Sequence, residues 1–419
     1  MATKNRVEGI KESGITWIGK IPQDWNVKKL KYASRLRNEK LEKANGLDYI
    51  GLENIESGTS KMISSKEVLE PESIINHFHP GDVLFGKLRP YLAKVLPVLK
   101  EGVCTSELLV LQPKEVTQGF LSYRLIASDF ISLVDNSTYG AKMPRASWDF
   151  IGNIPIAHPP KDKQKKVVEF LNAKTSVIDQ AIEQKRKQIE LLTEKRAAII
   201  NRAVTRGLDE NVELVDSGVE WIGKVPRGWS VTRLKYVGNK PMQYGANEAV
   251  TEFEINSDQP RFIRITDINE DGDLRKDTFV SLPEDVAKDY ILHEGDLLLA
   301  RSGATVGKTF KYKNEWGRCC FAGYLIRLSV DSKKADVDFI DYIFKSVYYS
   351  SWVSSIFIQA TIQNVSAEKY KEFIVFLPSL QEQKRIITRL NQVTGNINSA
   401  IRLVQRSIAL LSEYRTSLI

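Results

Sequence analysis

The sequence predicts a mixed α/β protein with two similar globular halves, each followed by a long helix. Three observations predict this fold: an internal repeat, short strand patterns between turn residues, and two long heptad patterns. The length of 419 residues exceeds what one ordinary hydrophobic core accommodates. The sequence contains no run of about 18 apolar residues, which a membrane span would require. Its first residues also lack the apolar segment of a signal peptide. We therefore expect a cytoplasmic protein of two or three domains.

The internal repeat is the strongest feature of the sequence. Residues 13–32, SGITWIGKIPQDWNVKKLKY, return at 217–236 as SGVEWIGKVPRGWSVTRLKY. Three further blocks recur in the same order: YIGLENIESG from Tyr49 and FIRITDINEDG from Phe262, GDVLFGKLRPYLAKV from Gly81 and GDLLLARSGATVGKT from Gly295, PPKDKQKKVVEFL from Pro159 and PSLQEQKRIITRL from Pro378. The shared order indicates a tandem duplication, so the two halves should have the same fold.

Short strand patterns, most of them bounded by glycine, proline or acidic residues, give each half its mixed α/β character. We predict strands at 49–50, 82–85, 107–112 and 154–157 in the first half and at 262–265, 296–300, 324–329 and 373–377 in the second. Each half also has one mainly apolar helical run, at 120–134 and 339–356. We expect both runs to lie in the core.

The last repeated block opens a heptad pattern in each half, with seam residues that step alternately by four and three. The apolar seam residues are Leu171, Ile178, Ile182, Ile189, Leu192 and Ile199 in the first copy and Leu390, Ile397, Ile401, Val404, Ile408, Leu411 and Leu418 in the second. Two helices that carry the same apolar seam bury it most simply by packing against each other. Because they are equivalent parts of a duplicated chain, we predict an antiparallel pair about a pseudo-two-fold axis. Pairing with the helices of another chain is the alternative.

These patterns divide the chain into four segments. We predict globular domains at 1–158 and 207–377, a central long helix at 159–206, and a carboxy-terminal long helix at 378–419. A helix of about 40 residues reaches roughly 60 Å at 1.5 Å per residue. The helix pair is therefore predicted to act as a coiled-coil spacer between the globular domains.

The chemistry-bearing residues do not form an enzyme site. The three cysteines and four histidines show no disulfide framework and no zinc-like spacing. His77 and His79 share one side of a strand, but they lack carboxylate or cysteine company, so we expect no metal site. The segment SGATVGKT from Ser302 places Gly303 one residue too close to Gly307 for a phosphate-binding loop. We expect no catalytic residues, and a nucleotide-dependent enzyme is the least favoured alternative.

Taken together, the blocks resemble the specificity subunit of Type I restriction-modification systems. The resemblance rests on the duplicated SG-x-x-WIGK-x-P-x-x-W segment, the two Gly-Asp strands, and the PP-x-x-x-Q or PS-x-x-x-Q segment that leads into each long helix. It covers essentially the whole chain. It implies two target-recognition domains, each of which reads one half of a split, asymmetric DNA sequence, held apart by two antiparallel helices.

The resemblance also implies the partners. Two modification subunits would bring S-adenosylmethionine and methylate adenine, and restriction subunits would cleave with ATP and Mg²⁺, so no cofactor is expected in this chain. The net charge of +8 and the pI near 9.1 permit a polyanionic partner such as double-stranded DNA. A coiled-coil scaffold that binds proteins without reading DNA is the alternative function. The Arg-, Lys- and Gln-rich loops argue against it.

Candidate DNA-binding residues come from two loops in each half. Arginine reads guanine and Asn or Gln reads adenine, whereas Lys, Ser and Thr mainly hold phosphates. The predicted DNA-binding residues are Lys87, Arg89, Tyr91, Lys142 and Arg145 in the first half and Arg301, Ser302, Thr305, Lys308, Gln359, Thr361, Gln363 and Asn364 in the second. The loops occupy equivalent places in the repeat, which favours a shared use with different targets.

Overall fold

The structure is a computed structural model that describes residues 9–42, 44, 46–63, 75–140, 142–218, 223–248, 258–269, 272–275, 277–358 and 364–419. The chain divides into two compact units. The first unit comprises Met1–Lys185 and Arg406–Ile419, and the second comprises Arg186–Gln405. Across these described stretches, no helix is both long and apolar enough to cross a membrane.

The first unit contains short strands, short helices and parts of both long helices. Its strands are β1 (Ile10–Glu12), β2 (Lys20–Pro22), β3 (Asn26–Lys29), β4 (Ser34–Arg37), β5 (Lys40–Leu41), β6 (Tyr49–Ile50), β7 (Ile75–Phe78), β8 (Val83–Gly86), β9 (Val95–Pro97), β10 (Gly102–Cys104), β11 (Leu108–Pro113) and β12 (Pro155–His158). Its helices are α1 (Leu30–Ala33), α2 (Gln118–Ile126), α3 (Ser128–Asp135), α4 (Trp148–Ile151) and the beginning of α5 (Lys161–Arg206).

The second unit has a closely similar order of elements. Its strands are β13 (Leu214–Asp216), β14 (Lys224–Pro226), β15 (Ser230–Arg233), β16 (Gln243–Tyr244), β17 (Arg261–Ile263), β18 (Leu297–Ala300), β19 (Thr309–Lys311), β20 (Cys319–Phe321), β21 (Leu325–Leu328) and β22 (Ile374–Leu377). Its helices are α6 (Glu284–Ala287), α7 (Val337–Phe344), α8 (Val347–Ile358), α9 (Ala367–Lys371) and most of α10 (Leu380–Leu418).

Sheet topology confirms the predicted duplication. The first unit has an antiparallel sheet in the order β4-β11-β8-β9, and the second has its counterpart in the order β16-β21-β18-β19. The parallel pair of β6 with β10 recurs as β17 with β20, and the pair of β3 with β12 recurs as β15 with β22. We call β8 and β18 the Gly-Asp strands, because each follows the repeated Gly-Asp pair. Both are buried along their whole length.

The structure divides both predicted helical runs and shortens one predicted strand. Each apolar helical run is two helices, and the first break falls at Ala127, whose backbone is extended between α2 and α3. The predicted strand at 262–265 ends at Ile263. The carboxylate of Asp267 accepts a hydrogen bond of 2.8 Å from the backbone N–H of Arg264, which turns the chain there. Such side-chain bonds compete with strand pairing.

The repeated tryptophans pack against the cores of their units. Trp25 meets Phe120 edge to face at 6.4 Å between ring centroids, and Trp229 meets Phe339 in the same way at 6.3 Å. Edge-to-face contact is a favoured geometry for packed aromatic rings. Trp25 and Trp229 therefore have the same packing role in the two units, while Trp221 lies outside the described residues.

The two long helices contact each other in both units, and their contacts run in opposite order along α5 and α10, so the helices are antiparallel. All predicted apolar seam residues are buried or half-buried. In the first unit Asp179 of α5 accepts a 2.8 Å bond from Nε of Arg415, near the end of α10. In the second unit Arg196 of α5 donates a 2.6 Å bond to Asn398 of α10. Arg196 and Arg415 occupy equivalent heptad positions, so the repeat symmetry of the pair is confirmed in these contacts.

A buried glutamine anchors the start of each long helix. The Oε1 of Gln164 accepts from the N–H of Thr117 at 2.7 Å, and its Nε2 donates to the carbonyl of Pro159 at 2.9 Å. Gln383 makes the matching bonds with Asp336 and Pro378 at the same distances. The glutamine of the PP-x-x-x-Q and PS-x-x-x-Q segments therefore joins each helix to its own globular part.

Replacing Gln383 with leucine should lower the free energy of unfolding by about 1–3 kcal/mol, because it leaves the half-buried N–H of Asp336 and the buried carbonyl of Pro378 without partners. Urea denaturation of the full chain measures this change. Gln405→Leu, at an exposed position of the same helix, is the control and should change stability by less than about 0.5 kcal/mol. Equal stability of the two variants would contradict the anchoring role.

Candidate nucleic-acid interface

In the first unit, the loop after the Gly-Asp strand is joined to a loop distant in sequence. The N–H of Arg89 donates to the carbonyl of Pro144 at 2.8 Å, and the N–H of Ala146 donates to the carbonyl of Lys87 at 3.0 Å. Leu88 and Arg145, which lie between these bonded residues, form an isolated antiparallel β-bridge. The structure thus places all five candidates of this half on two directly bonded loops.

The loop that carries Arg89 and Tyr91 has an unusual backbone. Arg89 has φ of 49° and Ala93 has φ of 45°, so two residues with side chains adopt the left-handed conformation around a tight turn. That conformation costs roughly 1–3 kcal/mol per residue and clusters at functional sites. Lys94 follows the turn, and its Nζ donates to the carbonyls of Leu52 and Ile55, which anchors the turn to the unit. Arg89 and Tyr91 are both exposed on this anchored turn.

Arg145 differs from its neighbours because it already has an acidic partner. Its Nε donates to both carboxylate oxygens of Glu107, at 3.1 and 3.2 Å. This hydrogen bond raises the pKa of the Arg145 guanidinium. Lys142, two residues before Pro144, is exposed. An anionic ligand at this loop would therefore compete with Glu107 for Arg145.

The second unit repeats the loop junction. The N–H of Val365 donates to the carbonyl of Arg301 at 2.8 Å, and Ser302 forms a bridge with Asn364. Thr305 is half-buried at the end of a tight turn, and Lys308 is exposed just before β19. Three further candidates lie outside the described residues: Gln359, Thr361 and Gln363.

Arg301 is held in place while part of its hydrogen-bonding capacity is unused. Its guanidinium lies 4.8 Å from the ring centroid of Tyr244, and Nη1 donates to the carbonyl of Gly323 over a long 3.5 Å. The hydroxyl of Tyr244 accepts from the N–H of Ala367 at 2.9 Å, which fixes the ring. Within the described part of the chain, the buried Nε of Arg301 and the buried Oδ1 of Asn364 have no hydrogen-bond partner. Arginine and asparagine are both side chains that read base edges.

Two exposed tyrosines beside these junctions are absent from the sequence-based candidates. Tyr324 is 65% exposed, and its carbonyl accepts from the N–H of Arg301 at 3.0 Å. Tyr139 is 64% exposed and exchanges two backbone bonds of 3.1 Å with Arg145. Exposed aromatic rings next to basic loops can stack on bases or pack on sugars. Tyr139 belongs to the segment TYGAKMPR, which also holds Lys142 and Arg145, so the sequence could have indicated it as a candidate. Tyr324 contacts Arg301 only through strand pairing, which the sequence does not reveal.

The cysteines do not offer a nucleophile. Burial raises the pKa of the thiols of Cys104, Cys319 and Cys320 to about 12, and the reactive form of a cysteine is the thiolate.

The histidine pair has carboxylate neighbours that the sequence analysis missed. Nε2 of His79 lies 2.8 Å from Oε2 of Glu39, and Nε2 of His77 lies 2.8 Å from Oε1 of Glu101. Hydrogen bonds from His79 and Arg37 lower the pKa of the Glu39 carboxyl to about 2. The premise that these histidines lack carboxylate company is therefore wrong. Glu39 is 40 residues from His79 along the chain, and Glu101 is 24 residues from His77. Only strand pairing brings these residues together.

The duplicated α/β fold and the two matching loop junctions define a protein that presents a pair of bonded basic loops in each of two similar units. The chain matches the Type I restriction modification DNA specificity domain over residues 22–191 and again over 226–404. It therefore belongs to that family, and it is a DNA-specificity component of Type I restriction-modification rather than an enzyme.

Relatives and a solved structure agree with this assignment. The chain is 24% identical over 402 residues to the MjaVIII specificity subunit of Methanocaldococcus jannaschii, covering 90% of this chain and 88% of the relative. It is 21% identical to the EcoBI specificity subunit of Escherichia coli, covering 90% and 79%. A solved chain from work on assembly and conformational transition of the type I R-M system superposes with a TM-score of 0.72 at 19% identity, covering 95% and 97%. That similarity supports the fold.

Proposed function

We propose that the paired loops of each unit read one half of a bipartite DNA target. The observation that carries this proposal is the junction of Arg301 with Asn364, where a buried Nε and a buried Oδ1 have no partner among the described residues. An unpaired buried polar group costs about 1–3 kcal/mol. Arginine pairs with guanine and asparagine with adenine, so a shift of these two side chains toward a base edge would give both groups a partner.

The other candidates fit a division of labour between bases and phosphates. Arg89 and Tyr91 would read the first half-site from their anchored turn, with Lys87, Lys142 and Arg145 beside them. In the second unit Ser302, Thr305 and Lys308 would hold phosphates next to Arg301, and Gln359, Thr361 and Gln363 complete the proposed set. Phosphate contacts set position and base contacts set sequence. Because the loop residues differ while the framework repeats, we propose two unlike half-sites.

Filter binding of the full chain with its modification partner tests DNA recognition. We expect retention of mixed-sequence duplex that falls steeply as salt rises, because phosphate contacts release counterions. We also expect tighter retention of duplex that contains the target. A protein scaffold that does not read DNA would retain neither duplex, and that result would overturn the proposal.

We also propose that the long helices carry the docking surface for the modification subunits. Several exposed apolar side chains each lie one position before a seam residue: Phe170, Val177 and Leu410 in the first unit, Leu191 and Leu403 in the second. Those on the same helix are separated by seven residues or a multiple of seven. An exposed apolar stripe with heptad spacing is typical of a surface that a further helix covers.

The remaining roles follow from this assembly. The modification subunits, two of them by the internal repeat, would supply S-adenosylmethionine, and restriction subunits would supply ATP and Mg²⁺ chemistry. This chain would contribute the DNA-reading loops, the docking stripe and a helical spacer between two reading sites.

A further inference from the structure

A cluster of two histidines and two glutamates lies on a sheet of the first unit, apart from the loop junction. The sheet has the order β5-β7-β10-β6. His77 is in β7 and His79 follows it, Glu39 precedes β5, and Glu101 precedes β10. In the antiparallel register, His77 pairs with Val103, and its N–H donates to the carbonyl of Glu39 at 2.9 Å. Strand pairing, rather than loop conformation, therefore fixes the position of the cluster.

Three potential ligand atoms converge in this cluster. Oε2 of Glu39 lies 2.8 Å from Nε2 of His79 and 3.5 Å from Nδ1 of His77, and one ligand atom from each residue lies within 4.8 Å of the others. We propose that Glu39, His77 and His79 bind a divalent transition metal ion of the zinc class. Zinc takes ligands of these types at about 2.0–2.2 Å, and two His with one Glu is an established donor set. Imidazole nitrogen favours zinc, copper and nickel over magnesium and calcium.

Further side chains hold the proposed ligands in position by hydrogen bonds. Nε2 of His77, the ring nitrogen that the metal does not need, lies 2.8 Å from Oε1 of Glu101. Nη1 of Arg37 donates to Oε1 of Glu39 at 2.7 Å, which leaves Oε2 for the metal. Arg37 is in turn held by Asp82 through Nε at 2.8 Å. A carboxylate on the far side of a ligating imidazole orients the ring and raises its basicity.

The internal repeat supplies a control histidine. His293 precedes Gly295-Asp296 as His79 precedes the first Gly-Asp pair, and its N–H bonds to Asp296 at 2.9 Å as that of His79 bonds to Asp82 at 2.8 Å. The position equivalent to His77 is Ile291. The turn is thus the same in both units, but the set of three ligands occurs only in the first among the described residues.

Titration of the tag-free, chelator-treated full chain with Zn²⁺, followed by calorimetry, tests the site. We expect one ion per chain, a higher melting temperature with Zn²⁺, and no saturation with Mg²⁺. His79→Ala and Glu39→Gln should each weaken binding at least 100-fold, Glu101→Gln should weaken it about 10–100-fold, and His293→Ala should leave it unchanged. Glu39 and His79 are partly exposed, so these variants should fold, which circular dichroism verifies.

Three results would overturn the metal site. One is the absence of saturable Zn²⁺ binding by the wild-type chain. The second is unchanged binding by a folded Glu39→Gln or His79→Ala variant, which would place the ion elsewhere. The third is a loss of binding in His293→Ala as large as in His79→Ala, which would count against the site for the same reason.

Discussion

Arg301→Ala should weaken binding to the specific duplex by about 1–3 kcal/mol while leaving affinity for unrelated duplex nearly unchanged. The guanidinium of Arg301 is already positioned by the ring of Tyr244 and retains an unpaired buried Nε among the described residues. Little ordering entropy is then lost when it meets a base edge. Competition binding with target and scrambled duplexes, in the presence of the modification partner, measures both affinities.

Two further variants separate base reading from simple charge. Arg301→Lys keeps the positive charge but loses the planar fork, so it should retain non-specific affinity and still lose discrimination. Arg227→Ala removes an arginine of the same unit that is paired with Glu213 and largely exposed, and it should change neither affinity. Equal losses on target and scrambled duplexes in Arg301→Ala would show that this residue does not read sequence.

Leu403→Glu should reduce affinity for the modification subunit by roughly 100-fold or more, because a buried charge without a partner costs about 3–5 kcal/mol. Leu403 is 67% exposed, so the substitution should change the stability of the isolated chain by less than about 0.5 kcal/mol. Co-purification and titration with the modification subunit measure assembly, and urea denaturation measures stability.

The control for the docking stripe is Gln405→Glu. It adds the same charge two residues further along α10, also at an exposed position, but outside the apolar stripe. Assembly should be nearly normal in this variant. Full assembly by Leu403→Glu, or equal loss in both variants, would contradict docking through the stripe.

The features best predicted from sequence are those with a strict period. Seam residues such as Leu171 and Leu390 could be identified because a heptad repeat determines which side of a helix is apolar. The antiparallel direction was predicted from the repeat. It is confirmed by the order of two contacts, since Asp179 meets Arg415 whereas the later Arg196 meets the earlier Asn398. The Gly-Asp strands were predictable for a related reason, since short apolar runs between turn residues indicate buried strands.

Contacts between distant residues were not predictable in the same way. The ion pair of Arg145 with Glu107 and the approach of Glu39 to His79 depend on strand register, which no local pattern specifies. The break at Ala127 likewise depends on how α2 and α3 pack, because helix propensity is a weak local preference. The resemblance identified the function, but the unused hydrogen-bonding groups of Arg301 and Asn364 emerged only from the three-dimensional arrangement.

The most direct test of the account is to map modified adenines in DNA exposed to the full chain together with its modification partner. Two reading units of different loop sequence predict a motif of two unlike specified segments with a gap of unspecified bases between them. Modification within a single uninterrupted motif, or within a palindrome of two identical segments, would contradict reading by two distinct units.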